Sequence, residues 1–190
     1  MNNFENDINE CCRVLEAGGL ILYPTDTIWG IGCDATNEKA IEKIYKLKNR
    51  QDKKSMIILV ADEKDIFNYV EKPNKKIFEY LSSAKKPTTV IYEHAKNIAQ
   101  NLISSDGTIA IRIVKDDFCK ALITQFKKPI VSTSANISEE AFSQNFNEIH
   151  PVIKNGVDYI VQHRQNDLMS SQPSSIIKLN TEGKIEVLRS

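Results

Sequence analysis

Short apolar runs that alternate with helical stripes predict an α/β fold: a twisted mixed sheet, parallel and antiparallel, with helices packed on it. Three observations carry this. Residues 55–60, Ser-Met-Ile-Ile-Leu-Val, form a continuous apolar run of strand length, the pattern of a strand covered on both faces. Residues 6–17 and a segment after Thr36 or Asn37 repeat apolar positions at helical spacing. Residues 174–179 and 184–188, with Asn180-Thr-Glu-Gly183 between them, read as a hairpin, which makes at least one strand pair antiparallel.

Taken in order, Ile8, Cys11, Cys12, Val14 and Leu15 form the first helical stripe, and Gly18-Gly19 stops it with a left-handed cap. Residues 20–23 are a short strand that ends at Pro24, which has no N–H for the next ladder bond. A polar loop with Thr25, Asp26 and Thr27 follows, and Gly30 and Gly32 allow its backbone a close approach to another group. The next helix faces Ala40, Ile41, Ile44, Tyr45 and Leu47 inward and runs out at residues 48–50. Asp62 opens a short helix to about Tyr69, and Pro73 takes the first helical position before residues 75–81. Residues 88–92 and 108–113 are β-rich, with residues 95–103 weakly helical between them. Asp116 or Asp117 caps a helix to about Phe126, a strand over 129–132 leads into Thr133-Ser-Ala-Asn136, a helix covers 148–154, and a strand covers 158–161. Residues 163–173 are a polar loop.

With 190 residues, the chain is expected to form one domain, 1–190, with a sizeable core. Lys+Arg and Asp+Glu both number 25, so no global field marks a nucleic-acid or membrane partner, and any basic site must be local. There is no apolar run of the ~20 residues a spanning helix needs, and the N-terminus is polar, so a cytoplasmic protein without membrane contact is expected. Cys11, Cys12, Cys33 and Cys119 have neither C-x-x-C spacing nor a partner His, which favours reduced thiols over a zinc site.

Lys46, Lys48, Arg50, Lys53 and Lys54 put five cations within nine residues where a helix meets a buried strand. Cations at a helix C-terminus offset its dipole, which is common; pinned between a helix and a strand, they also suit phosphate. Neither G-x-x-x-x-G-K-[ST] nor G-x-G-x-x-G occurs, so the usual glycine cradles for nucleotides are excluded. Ser132-Thr-Ser-Ala-Asn136 offers hydroxyls at a strand end, either as an anion cradle or as a helix-capping turn. Alternation along residues 108–113 puts Arg112 opposite Ile109, Ile111 and Ile113. It is either an exposed residue on an edge strand or a guanidinium lining a groove, ready for a carboxylate. Trp29 and Tyr23 read as core or groove wall. His94, His150 and His163 are isolated, and no G-x-S-x-G supports triad hydrolysis.

Five segments in order, Pro24-Thr-Asp-Thr-Ile-Trp-Gly-Ile-Gly32, Lys48-x-Arg50, Arg112 in Ala-Ile-Arg, Ser132-Thr-Ser-Ala-Asn136 and Pro173-Ser-Ser-Ile-Ile177, resemble the single-domain, YrdC-like threonylcarbamoyl-AMP synthase family. The chain departs from the family pattern at Trp29, usually Tyr, and at Gln51 and Ser55-Met56, where prolines and leucine are usual. The resemblance implies a YrdC-like sheet with a basic concave groove. It also implies a nucleotidyltransferase that converts L-threonine, bicarbonate or CO2, and ATP to threonylcarbamoyl-AMP and pyrophosphate, for N6-threonylcarbamoyladenosine in tRNA. By the same resemblance Lys48 and Arg50 are catalytic, and Thr27, Leu59 (through its backbone), Arg112 and Ser174 hold L-threonine. Arg50, Lys54, Thr108, Ser132, Ser134, Asn136 and Arg189 would then serve ATP. Mg2+ is the expected ion, and double-stranded RNA binding, tRNA and the downstream threonylcarbamoyl-transferase complex are implied partners. The chain ends soon after Arg189, so the extra C-terminal domain of longer members is expected to be absent. A second reading is a non-catalytic RNA-binding module using the same groove. A third is a carbamoyl-transfer domain of the kind found inside larger maturation enzymes.

Overall fold

The computed structural model describes residues 4–49, 56–138, 140–168, 172–180 and 182–190. In chain order these form α1 (Glu5–Glu16), β1 (Ile21–Tyr23), β2 (Gly30–Gly32), α2 (Glu38–Leu47), β3 (Ile57–Val60), α3 (Ile66–Tyr69), α4 (Lys75–Ser83) and β4 (Thr88–Tyr92). Then come β5 (Ile109–Ile113), α5 (Asp117–Phe126), β6 (Ile130–Ser134), α6 (Pro151–Asn155), β7 (Tyr159–Ile160), β8 (Ser175–Leu179) and β9 (Ile185–Arg189). Three short 3-10 turns lie between them. Among the described residues no helix is long and apolar enough to cross a membrane.

The strands make one nine-stranded sheet in the order β7-β1-β2-β6-β3-β5-β4-β8-β9. It is mixed, as predicted: β3 with β5, β4 with β8 and β1 with β7 run parallel, and the other pairs antiparallel. Neighbouring residues of one strand fall into two different apolar clusters, Ile58 in one and Leu59 in the other, Val131 in one and Ile130 in the other. Because side chains alternate along a strand, the clusters lie on opposite faces. Helices α2, α4 and α6 cover the first face through Ile41, Ile44, Ile77 and Ile153. Helices α1 and α5 cover part of the second through Leu15, Phe118 and Leu122. Each such buried side chain contributes roughly 1.5–3 kcal/mol.

Local chemistry explains the element starts. Asn37 accepts from the amide of Ala40 at 3.1 Å and Asp116 from that of Cys119 at 2.8 Å, so both predicted N-caps are present. Three expectations need correction. Pro73 does not open α4; Asn74 is the cap and accepts from Lys76. Residues 95–103 form only a 3-10 turn over Gln100–Leu102. Their amides are taken by neighbours outside the segment, Lys96 by the Tyr69 carbonyl and Ala99 by the Ala35 carbonyl, which leaves fewer for a helical ladder. Residues 30–32, expected as loop, form β2, paired to β1 and β6.

Sheet register positions the site. Partners directly opposite in adjacent strands face the same side, and one such row runs Ile130, Leu59, Arg112, Thr89, Ile176, Arg189 across six strands. It starts apolar under α5 and turns polar at Arg112.

Candidate active site

A cavity of about 330 Å3 opens on this face, and none of its described lining residues belongs to a helix. Its polar lining is Thr27, Arg112, Ser132, Thr133, Ser134, Ser174 and Arg189, and all of these but Thr133 are site residues predicted from the sequence. Ile57 and Ile176 supply apolar floor. Trp29 is a wall, buried and packed on Phe146 with ring centroids 4.9 Å apart.

Arg112 is on a central strand and 2% exposed, which excludes the edge-strand alternative. Its Nη2 lies 3.0 Å from Asp26 Oδ1, and both side chains are nearly inaccessible. The contact is a charge pairing rather than an aligned hydrogen bond, because Asp26 Oδ1 and Arg112 Nε are both buried without a hydrogen-bond partner. A buried guanidinium with spare donor capacity favours a further anion. Arg189 Nε and Nη2 donate to the Ser174 carbonyl at 3.0 and 2.8 Å, which ties β9 to the start of β8. Burial, then the charge of Arg112, pulls the Arg189 guanidinium below its ordinary range. Two guanidiniums thus face one cavity, and a bound anion would relieve their repulsion.

The Thr25–Thr27 turn is organised by a single oxygen. Thr25 Oγ1 donates to the Ile28 carbonyl at 2.8 Å and accepts from the Thr27 amide at 3.0 Å. A hydroxyl has one proton, so in the 2.9 Å contact between the two threonine hydroxyls Thr27 is the donor. Thr27 Oγ1 therefore turns lone pairs to the cavity, fit to accept from an amine or hydroxyl. Arg112 Nη2 also reaches Thr25 Oγ1, at 3.4 Å.

The second turn, at the end of β6, is organised by Lys48. Its buried ammonium donates to the carbonyl of Ser134, to that of Asn136 and, at 3.4 Å, to Asn136 Oδ1. Asn136 Nδ2 in turn donates to the carbonyls of Ile137 and Glu140 at 2.9 and 2.7 Å. Lys48 and Asn136 thus stand beneath the Ser132–Ser134 wall and do not line the cavity. Leu59 pairs its backbone with Arg112 while its side chain packs under α5. Thr108 precedes the start of β5, donates to Asp106 Oδ1 at 2.7 Å and stands apart from the cavity. Arg50 and Lys54 lie outside the described residues.

Asp26, from the polar loop that the sequence marks at the strand end, joins the site through Arg112, and Thr89 joins it without a signal in its spacing. Thr89 shares a 2.8 Å hydrogen bond with Ser174, and both are buried. Among the described residues no group of three His, Cys, Asp or Glu side chains is placed to hold a metal ion.

Comparison with known proteins bears on the fold and the family. The threonylcarbamoyl-AMP synthase of Idiomarina loihiensis is 32% identical over 162 residues, covering 84% of this chain and 86% of that protein. The structure of P. abyssi Sua5 complexed with L-threonine superposes with a TM-score of 0.85 at 20% identity over 97% of this chain, which spans 54% of the Sua5 chain. E. coli YciO superposes at 0.83 with 22% identity, covering 97% of this chain and 89% of YciO. A family profile for Sua5, YciO and YrdC, described as telomere recombination, matches residues 13–190. On that match and the 32% identical relative, the chain belongs to the Sua5/YciO/YrdC family.

Proposed function

We propose that this chain is an L-threonylcarbamoyladenylate synthase, joining L-threonine, bicarbonate or CO2, and ATP into threonylcarbamoyl-AMP with release of pyrophosphate, for tRNA modification in the cytoplasm. Several relatives carry the name threonylcarbamoyl-AMP synthase, and L-threonine is bound in the P. abyssi Sua5 structure. The observation that carries the reading is the pair Arg112 and Arg189 facing one cavity walled by hydroxyls. That surface suits a substrate with a carboxylate at one end and a phosphate-bearing partner at the other.

In this reading Arg112 holds the threonine carboxylate, Thr27 Oγ1 accepts from the substrate's amine or hydroxyl, and the Leu59 backbone and Ser174 close that end. Ser132, Ser134 and Arg189 face the nucleotide, and Lys48 and Asn136 shape the turn that carries them. Arg50 and Lys54 are assigned to the phosphates by their motif alone. Thr108, bonded to Asp106, has no part in the cavity on this account. The threonine amine adds to CO2 and loses a proton to give a carbamate. A carbamate oxygen then attacks the α-phosphorus of ATP, and the bond to pyrophosphate breaks. No side chain forms a covalent bond, so rate comes from positioning and charge stabilisation. Mg2+ would enter with the triphosphate, since the described side chains form no metal cage. Residues 1–190 would act as one catalytic unit, with tRNA and a threonylcarbamoyl-transferase complex downstream.

The test is pyrophosphate release by purified protein with mass detection of the adenylate. Release should require threonine, bicarbonate and ATP together; threonine-independent release, or salt-sensitive tRNA binding with no adenylate, would overturn the reading.

A further inference from the structure

The polar loop after β7 carries an arginine that neither the family motifs nor the cavity lining includes. Arg164 sits at φ 66°, the left-handed region that residues with a Cβ seldom adopt. In that conformation its Nη1 donates to the Thr25 carbonyl at 3.1 Å and lies 3.2 Å from Asp116 Oδ2, while its Nε reaches Asp167 Oδ2 at 3.4 Å. The carboxylate of Asp116 is shared: Oδ1 caps α5 through the Cys119 amide and Oδ2 takes Arg164. From the same helix Cys119 Sγ donates to the Pro24 carbonyl at 3.3 Å. Thr25 is therefore gripped from outside by its carbonyl, and from within by the hydroxyl that holds Thr27 and contacts Arg112.

We infer that Arg164 is a positioning residue: by pinning the Thr25 carbonyl to the N-cap of α5 it sets where the Thr27 hydroxyl and the Arg112 guanidinium meet the carboxylate-bearing substrate. The guanidinium fork matters, because Nη1 serves the Thr25 carbonyl and Asp116 while Nε, at a fixed distance in the same plane, reaches Asp167, and the single nitrogen of a lysine does not reproduce that spread. The kinetic half of this inference rests on the proposed function; the structural half does not.

Two measurements on Arg164→Gln, with Arg164→Lys as the milder variant, separate them. Amide hydrogen exchange of the ligand-free protein should speed up at residues 25–28 and stay unchanged at residues 132–136. In pyrophosphate release, KM for threonine should rise about tenfold in Arg164→Gln, as expected for one lost charge-assisted hydrogen bond, with KM for ATP held within about twofold. Arg164→Lys should fall between the two proteins. Unchanged exchange at 25–28, equal acceleration at both turns, or an equal rise in both KM values would overturn the inference. A wild-type protein without turnover would sink the proposed function, and the exchange rates at 25–28 and 132–136 would then decide the role of Arg164 by themselves.

Discussion

Ser132–Asn136 and Thr25–Thr27 both place hydroxyls at strand ends on the same cavity, yet they are anchored differently. The first is held from below by an ammonium that is almost fully inaccessible and gathers oxygens from that turn. The second is held by a guanidinium whose side chain is 31% exposed and which divides itself among Thr25, Asp116 and Asp167. A buried cation surrounded by carbonyls is costly to disturb, because carbonyls left behind in the interior lose a partner that water cannot replace. A half-solvated cation can be replaced in part by water. The Ser132–Asn136 side of the cavity is thus built as a rigid wall and the Thr25–Thr27 side as an adjustable one.

Breaking the rigid wall should have the largest effect. Lys48→Met keeps the stem and removes the donor, so the carbonyls of Ser134 and Asn136 stay buried with a partner gone. At ~1–3 kcal/mol for each orphaned group, the loss should be about 3–5 kcal/mol in urea unfolding, with turnover abolished. A variant that kept both its urea midpoint and its turnover would show that this turn does not depend on Lys48.

The adjustable side should lose less. Thr25→Val removes the acceptor of the Thr27 amide and the donor to the Ile28 carbonyl, at an expected cost of about 1–3 kcal/mol. KM for threonine should rise while KM for ATP holds. If both rise together, the two turns are one mechanical unit and the contrast between them fails.

How much of this was legible in the sequence differs from residue to residue. The helix starts at Asn37 and Asp116 follow from local capping chemistry, and both strand-end hydroxyl turns stand out as polar runs after apolar ones. Alternation placed Arg112 opposite Ile111, but its burial depends on Asp26, whose approach is a tertiary event. Strand β2 was hidden because two of its three residues are glycine, a poor strand former. The strand is held by its pairing to β1 and β6, and glycine stands there because the space is tight: a Cβ at Gly32 would sit 2.7 Å from the Tyr23 ring, and one at Gly30 would sit 2.9 Å from Ser132 Oγ. Lys48 read as one more cation at a helix exit, and only the fold turns it inward. Arg164 lay in a loop without periodicity, where no pattern distinguishes an anchor from a solvated side chain.

The smallest effect should separate the turns by pH. Cys119 lies beneath the Thr25 turn, fully buried, and burial followed by the charge of Asp116 pushes its thiol well above 9.0. The folded thiol keeps its proton where the unfolded one loses it, so the native state binds more protons and stability falls as pH rises above 9.0. Below that value the contribution is fully present. Cys11 and Cys33 are raised in the same direction by burial and add to the slope. Cys119→Val should take away one thiol's share. Between about pH 8 and about pH 10 its loss of unfolding free energy should be smaller than the wild type's by about 1 kcal/mol, since each pH unit past the unfolded value counts ~1.4 kcal/mol per proton. Identical slopes in the two proteins would mean that this thiol ionises in the folded state as readily as in the unfolded one, and that the packing under the Thr25 turn is looser than its hydrogen bond to Pro24 implies.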